Sequence, residues 1–223
     1  MHDRTNLVLA SGSPRRRQLL ELGNWDYTVA ISNVDETRKD GETPADYVTR
    51  LAIEKAQAVA KRVALHHIVI AADTAVIDGP QILGKPRDRQ DAERMLQQLR
   101  GRTHQVYTGL ALLRLQDDRL LTELCITDVP MRPYSDEEIG IYIDSGDPMD
   151  KAGAYAIQHL QFRPVEALHG CRASVMGLPM CHLVRALQKF DVHPQADVPA
   201  ACQALLNYEC PVSSAILRGE MVG

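Results

Sequence analysis

The chain has 223 residues, of which 45% are hydrophobic and 24% are charged, and its formal net charge is -4. This composition is typical of a globular protein, and the length is sufficient for one large domain with a substantial core. The slightly acidic balance excludes a general electrostatic surface for nucleic acid, so any basic site must be local. We find no apolar run of roughly eighteen residues, which a membrane-spanning helix would need.

Two features predict a cytoplasmic location. The N-terminal residues 1–4 lack the apolar core of a signal peptide. The five cysteines are scattered, odd in number and without a C-x-x-C pair, as expected in a reducing compartment. Cys202, Cys210 and His193 match no standard zinc-ligand spacing, so we expect the thiols to be buried or idle.

The first notable stretch joins an apolar run to a basic helix start. Residues 7–10 are wholly apolar and predict a buried strand. Ser13 suits the N-cap of a helix and Pro14 its first position. Arginines then occupy positions 15–17, although the helix dipole favours acidic residues there. This pattern predicts an anion site, most plausibly for phosphate, while a solvated basic turn that binds nothing is the alternative.

A long amphipathic helix is predicted for residues 44–63. Its apolar stripe contains Leu51 and Val59, and Lys55 lies between them, four residues from each. A lysine at such a position either extends its ammonium group to the edge of the stripe or meets an anion. The polar loop before this helix contains Asp35 and Glu36, which are either solvated or ligands of a metal ion.

A second wholly apolar run at residues 68–72 predicts a central strand that ends at Asp73 and Thr74. A carboxylate at such a strand end lies where open α/β sheets bind their ligands. The glycine- and proline-containing loop that follows supplies two further cations, Lys85 and Arg87.

The remaining segments predict further regular elements. These are a helix from Asp88 that stops at Gly101, a hairpin of residues 106–115 and 120–131, a helix over 135–144, a short strand that ends the segment 150–158, a last helix over 177–190, and a tail with one small helix packed on the domain.

Six short pieces follow one another between about residue 6 and residue 190. They are Ser11-Gly12-Ser13-Pro14-Arg15-Arg16, Glu54-Lys55-Ala56, Ala72-Asp73-Thr74, Gly84-Lys85-Pro86-Arg87, Asp150-Lys151-Ala152-Gly153-Ala154-Tyr155-Ala156-Ile157-Gln158 and Gly177-Leu178-Pro179. In this order and spacing the chain resembles the Maf family of nucleoside triphosphate pyrophosphatases. The resemblance implies one α/β domain, residues 1–190, around a long mixed sheet with two lobes and a central cleft, as in Maf and ITPase folds. Residues 191–223 would form an extension of unknown role.

The resemblance also implies an activity. Family members use a divalent metal, Mg²⁺ or Mn²⁺, to cleave a nucleoside triphosphate into the monophosphate and pyrophosphate. The expected substrates are dTTP and UTP, with CTP tolerated, and we expect no nucleic acid or membrane partner; a homodimer stays open. A non-catalytic regulator of cell division that senses nucleotides is the alternative.

Matching the family's positions assigns roles to particular residues. The expected catalytic residues are Asp73, as proton acceptor for water, with Lys55 and Lys85. The expected substrate-binding residues are Ser11, Arg15, Arg16, Thr74 and Gln158, and the expected metal ligands are Asp73 and Glu36. The amide of Gln158 matches the O4 and N3–H groups of thymine and uracil. The segment after it lacks the family's glycine-rich turn, so a purely structural role for Gln158 stays open.

Overall fold

The computed structural model describes residues 6–220 and residue 222, so the expectation for residues 1–4 lies outside the described residues. The strands are β1 (Leu7–Leu9), β2 (Tyr27–Val29), β3 (Ile68–Asp78), β4 (Gln81–Leu83), β5 (Thr103–Arg114) and β6 (Arg119–Pro130). The helices are α1 (Pro14–Leu20), α2 (Pro44–Ala60), α3 (Arg89–Leu99), α4 (Asp136–Asp144), α5 (Arg172–Val175), α6 (Met180–Gln188), α7 (Val198–Leu206) and α8 (Ser213–Leu217).

The described strands form one mixed sheet in the order β2-β1-β3-β5-β6, with β4 paired to β3. Strand β1 is parallel to β2 and β3, whereas β3, β5 and β6 pair antiparallel. Helices cover both faces of this sheet, which confirms the predicted single α/β domain with a long mixed sheet. The division of the chain at residue 190 stays a prediction.

Strand β3 determines where the cleft lies, and here the sequence prediction was wrong. The strand does not end at Asp73 but continues to Asp78, because β5 pairs with it from Val69 to Ile77. On the opposite edge, pairing with β1 ends at Ile70 and pairing with β4 begins at Val76. Residues 71–75 therefore have no strand beside them on that edge in the described chain, and a cleft opens at this gap.

Helix α2 packs closely on β3 and β5. A Cβ atom at Gly109 of β5 would lie 2.6 Å from the backbone oxygen of Val48, so the close approach of the helix requires glycine there. The buried stripe of α2 is the predicted one as far as Ala60, where the helix ends, three residues earlier than predicted. Lys55 is buried with that stripe, which directs its side chain toward the sheet at β3.

The C-terminal tail contains two helices rather than one. Helices α7 and α8 pack on α6, and the indole Nε1 of Trp25 donates a hydrogen bond to the backbone oxygen of His193 at 2.9 Å. The short strand predicted at the end of the segment 150–158 is absent from the described chain, where a loop and a turn follow the 3-10 turn Ala152–Ala154. In the part of the chain that is described, no helix is long and apolar enough to cross a membrane.

Candidate active site

A cleft of about 740 Å³ opens beside the unpaired part of β3. Its volume is within the range of small-molecule sites, roughly 300–1,000 Å³. All the residues predicted for the site line this one cleft: Ser11, Arg15, Arg16, Glu36, Lys55, Asp73, Thr74, Lys85 and Gln158. Arg87, predicted as a further cation, is instead exposed outside the cleft and pairs with Asp91 at 3.0 Å.

The turn between β1 and α1 has the local structure that its sequence predicts. The hydroxyl of Ser13 caps α1 by accepting from the backbone N–H of Arg16 at 3.5 Å, and Pro14 occupies the first helical position. The hydroxyl of Ser11 accepts from the N–H of Ser13 and from Nη1 of Arg16, at 3.2 and 3.3 Å. Ser11 therefore stabilises the turn and directs one arginine into the cleft.

Arg16 is bonded within the protein before any ligand is present. Its Nε donates to the backbone oxygen of Gly177 at 2.8 Å, and its Nη2 donates to the Thr74 hydroxyl at 3.3 Å. Burial lowers the pKa of Arg16, because the charged form loses solvation there. The hydroxyl of Thr108 donates to the Ser174 oxygen, so Thr74 donates in turn to Thr108 at 3.0 Å. The proton of the Thr74 hydroxyl and one of its two acceptor lone pairs are thus occupied.

Gly177 is a part of the site whose role the sequence reading missed. Its φ of 109° lies in the region that favours glycine, and a Cβ there would lie 3.2 Å from Nε of Arg16. In the sequence, Gly177-Leu178-Pro179 is predicted to be one of the family motifs and the start of the last helix. Its contact with Arg16 joins residues 161 positions apart, and no local signal pairs them.

Lys55 meets two carboxylates at the centre of the cleft. Its ammonium lies 2.6 Å from Oδ1 of Asp73 and 2.7 Å from Oε1 of Glu36. Of the two predicted alternatives for this lysine, contact with an anion is the one that occurs, and the anions belong to the protein. The ammonium therefore neutralises part of the negative charge that the two carboxylates bring together.

The two carboxylates have opposite pKa shifts. Burial raises the pKa of Asp73, and the nearby charges of Lys55 and Arg16 oppose that effect without cancelling it. Partial burial also raises the pKa of Glu36, but the hydrogen bond and charge of Lys55, with help from Lys85, outweigh it and leave that pKa low. Burial thus makes Asp73 a better proton acceptor than an ordinary aspartate, whereas Lys55 makes Glu36 a poorer one than an ordinary glutamate.

The oxygen donors of Asp73 and Glu36 suit a hard divalent cation. Mg²⁺ is commonly held by one or two carboxylates together with substrate phosphates, rather than by a cage made wholly of protein. The described residues contain no group of three or more histidine, cysteine or acidic side chains that could hold a metal ion. The donor set therefore fits a cation that arrives with phosphate oxygens among its ligands.

The other end of the cleft is formed by the segment 150–158. Nζ of Lys151 donates to Oδ1 of Asp147 at 3.0 Å and to Oδ1 of Asp150 at 2.6 Å. Asp150 also lies 3.5 Å from Nη1 of Arg15, so an ion pair crosses the cleft. The amide of Gln158 is half-buried and makes no hydrogen bond with the described residues.

Comparison with known proteins identifies the relatives of this chain. Residues 6–190 match the family described as "Maf-like protein". The chain belongs to the Maf family. This Maf chain is 46% identical over 186 residues to a dTTP/UTP pyrophosphatase of Bacillus cytotoxicus, covering 82% of the chain and 95% of the relative. It is 44% identical over 187 residues to a dTTP/UTP pyrophosphatase of Geobacter sulfurreducens, covering 84% and 97%.

Two solved structures are more distant from the Maf chain. A nucleoside-triphosphatase, dITP/XTP pyrophosphatase, from Mycobacterium abscessus has a TM-score of 0.43 and 15% identity, covering 83% of this chain and 94% of that one. The Ham1 protein of Staphylococcus aureus has a TM-score of 0.46 and 17% identity, covering 91% and 98%.

Proposed function

We propose that this chain hydrolyses nucleoside triphosphates, preferring dTTP and UTP and tolerating CTP, to the nucleoside monophosphate and pyrophosphate. The observation that carries the proposal is the buried carboxylate of Asp73, bonded to Lys55 in a cleft lined by further cations. The names of the relatives, all of which align over nearly their whole length, support the same substrates.

In this proposal Asp73 is the general base. Its carboxylate accepts a proton from a water molecule whose oxygen attacks the α-phosphorus, and the bond from that phosphorus to the bridging oxygen breaks as pyrophosphate leaves. Burial raises the pKa of Asp73 and so makes it a better proton acceptor than an exposed aspartate. A correctly placed base of this kind contributes about 10²- to 10⁴-fold to a rate.

The cations bind the triphosphate and stabilise the leaving group. Arg15 and Lys85 line the cleft with no buried partner, and Lys85 has no ion-pair partner in the described chain. In this proposal, their positive charges stabilise the negative charge that develops on the leaving pyrophosphate. Arg16 and Ser11 act mainly by keeping the β1–α1 turn in place, because their polar groups are already bonded within the protein.

Asp73 and Glu36 would hold Mg²⁺ or Mn²⁺ together with phosphate oxygens. The bound cation would neutralise phosphate charge and polarise the phosphorus that is attacked. Lys55, which bridges the same two carboxylates, keeps them together in the cleft until then. We place the activity in the cytoplasm, where nucleoside triphosphates occur and where the five cysteines, all free, suit the reducing conditions.

Gln158 is the residue proposed to read the base. Its unpartnered amide can donate to O4 and accept from N3–H of thymine or uracil. Thr74, expected from the resemblance to be a substrate-binding residue, has no free proton to donate, because its hydroxyl donates to Thr108 and accepts from Arg16. We propose that it acts mainly by holding Arg16.

The test is to measure pyrophosphate and monophosphate release from dTTP, UTP, CTP and dGTP with Mg²⁺ and with Mn²⁺. We expect equimolar products, fastest from dTTP and UTP. Tight nucleotide binding without turnover would overturn the proposal and favour the sensing regulator. Release of single phosphate groups would place the cleavage elsewhere on the triphosphate.

A further inference from the structure

The C-terminal extension lies beyond the residues that match the Maf family, yet it contacts Arg172, which is hydrogen-bonded to the residue before Gln158. Residues 191–223 follow the matched residues 6–190. After α7 the chain turns back at Asn207, whose φ of 44° is left-handed, and presents Tyr208 to the loop before α5. Tyr208 is half-buried at this contact.

Tyr208 supports that loop through both its hydroxyl and its ring. The hydroxyl lies 3.0 Å from the backbone oxygen of Leu168 and 2.9 Å from that of Gly170, and can donate to either. The guanidinium of Arg172 lies over the ring, 5.9 Å from its centroid. Nε of Arg172 is buried without a partner in the described chain, so the stacking on Tyr208 is a main restraint on this guanidinium.

Arg172 also bonds to the chain that lines the cleft. Its Nη2 donates to the backbone oxygen of Ile157 at 3.1 Å. That oxygen belongs to the peptide unit whose nitrogen is the backbone nitrogen of Gln158. Because a peptide unit is planar, holding its oxygen sets the direction in which the chain enters Gln158. The path from the extension to the proposed base-reading side chain therefore has three steps: Tyr208, Arg172 and the Ile157 peptide.

We propose that Tyr208 and Arg172 are positioning residues for base selection. Through them the extension would fix the orientation of Gln158, at the end of the cleft proposed to bind the base. This inference rests on the proposed function, because it assumes that Gln158 contacts the base. Among the described aromatic side chains, only that of Tyr208 lies against the guanidinium of Arg172. The extension therefore positions Arg172 in a way that no aromatic residue of the matched domain does.

The experiment compares Tyr208→Phe, which keeps the ring, with Tyr208→Ala, which removes ring and hydroxyl. We measure kcat/KM for dTTP and dGTP and take their ratio as selectivity. In Tyr208→Ala we expect the ratio to fall about threefold to tenfold, the size of effect expected from residues coupled to a site. The ratio should fall less in Tyr208→Phe. The matched control is Val198→Ala, which removes buried packing of the extension but lies outside this path.

A double variant distinguishes positioning from general stability. If Tyr208 acts through Gln158, adding Tyr208→Ala to Gln158→Ala should reduce selectivity no further than Gln158→Ala alone. Val198→Ala should lower Tm and leave the ratio unchanged. An unchanged ratio in an active Tyr208→Ala, an additive double variant, or an equal loss in Val198→Ala would each overturn the inference.

Binding of uncleavable analogues separates this inference from the proposed function. Calorimetry with the α,β-methylene analogues of dTTP and dGTP gives a selectivity that needs no turnover. If the wild type binds them selectively but releases no pyrophosphate, the proposed hydrolysis fails, and a lower binding ratio in Tyr208→Ala still supports the positioning role. If the wild type is active and its binding ratio is the same in Tyr208→Ala, the positioning role fails alone.

Discussion

The two ends of the cleft are organised in different ways. At the reaction end the charged groups are already bonded to one another: Lys55 bridges Asp73 and Glu36, and Arg16 is bonded to the backbone of Gly177. At the base end the amide of Gln158 has no partner in the described chain, and its backbone is held from behind by Arg172.

We therefore expect the two ends of the cleft to contribute differently to catalysis and to substrate selection. Groups that are oriented before the substrate arrives need little rearrangement in the transition state, so changes at the reaction end should mainly alter rate. A free amide whose partner is the base itself should mainly alter selectivity. Variants of four cleft residues test this contrast, and a variant of His182 tests a buried group outside the cleft.

Asp73→Asn should lower kcat by about 10²-fold or more, since it removes the proton acceptor. Nucleotide binding should be retained or tighter, because a negative charge beside the phosphates is lost. Asp78→Asn is the control, on the same strand but paired with Arg102 outside the cleft. Near-normal turnover in Asp73→Asn would move the chemistry to another carboxylate, with Glu36 the first to test.

Gln158→Ala should reduce the preference for dTTP over dGTP by about tenfold to a hundredfold, the effect of a buried hydrogen-bonding group of roughly 1–3 kcal/mol. The value of kcat for dTTP should change less than the selectivity. Gln161→Ala, an exposed change three residues away, serves as the control. Equal preference in wild type and Gln158→Ala would remove Gln158 from the base pocket.

Arg15→Ala should weaken binding of dTTP by about tenfold, because a charge-assisted hydrogen bond to phosphate is lost. Among the described residues Asp150, which is exposed, is the ion-pair partner of this side chain, so the fold should be retained without it. The rise in Tm on adding nucleotide should be smaller than in wild type. Arg17→Ala, exposed on the same helical turn, should behave like wild type.

Lys55→Met should raise the affinity for Mn²⁺ in the absence of nucleotide, by about tenfold, because the ammonium no longer competes for the two carboxylates. Counting free Mn²⁺ by electron paramagnetic resonance gives this affinity without turnover. The control is Lys61→Met, an exposed change at the end of α2. Weaker Mn²⁺ binding in Lys55→Met would show that the lysine supports the carboxylates more than it competes for them.

His182→Gln tests a buried group remote from the cleft. Burial lowers the pKa of His182 from its ordinary 6.5 to about 4, so the unfolded chain binds a proton that the folded protein does not. Stability is therefore lost as pH falls from 6.5 toward 4. Urea unfolding should show that the free energy of unfolding decreases from pH 7 to pH 5 by about 1–2 kcal/mol less in His182→Gln than in wild type. In the control His169→Gln, at an exposed position, the free energy of unfolding should depend on pH as it does in wild type.

Much of the fold could be predicted because the signals are local. The apolar run of β1, the Ser13 cap with Pro14, and the stripe of α2 depend on residues only a few positions apart. The position of Lys55 within that stripe left two alternatives, an ammonium group extended to the edge of the stripe or contact with an anion. The contacts with Asp73 and Glu36 in the folded protein decide for the second.

Other features depend on partners that are distant in sequence. Asp73 lies in mid-strand because β5 pairs beyond it. Thr74 has no free proton to donate, because its hydroxyl donates to Thr108 and accepts from Arg16. The end of the segment 150–158 is not a strand, because no described strand pairs with it.

Short motifs and hydrophobic periodicity were thus sufficient to predict the family, most of the helices and strands, and the residues that line the cleft. Three properties depend on the folded chain: which cations are already bonded, the opposite directions of the Asp73 and Glu36 pKa shifts, and the contact of Tyr208 with Arg172. These properties arise from distances between residues far apart in the chain, such as Arg16 and Gly177, and such distances exist only after the chain has folded.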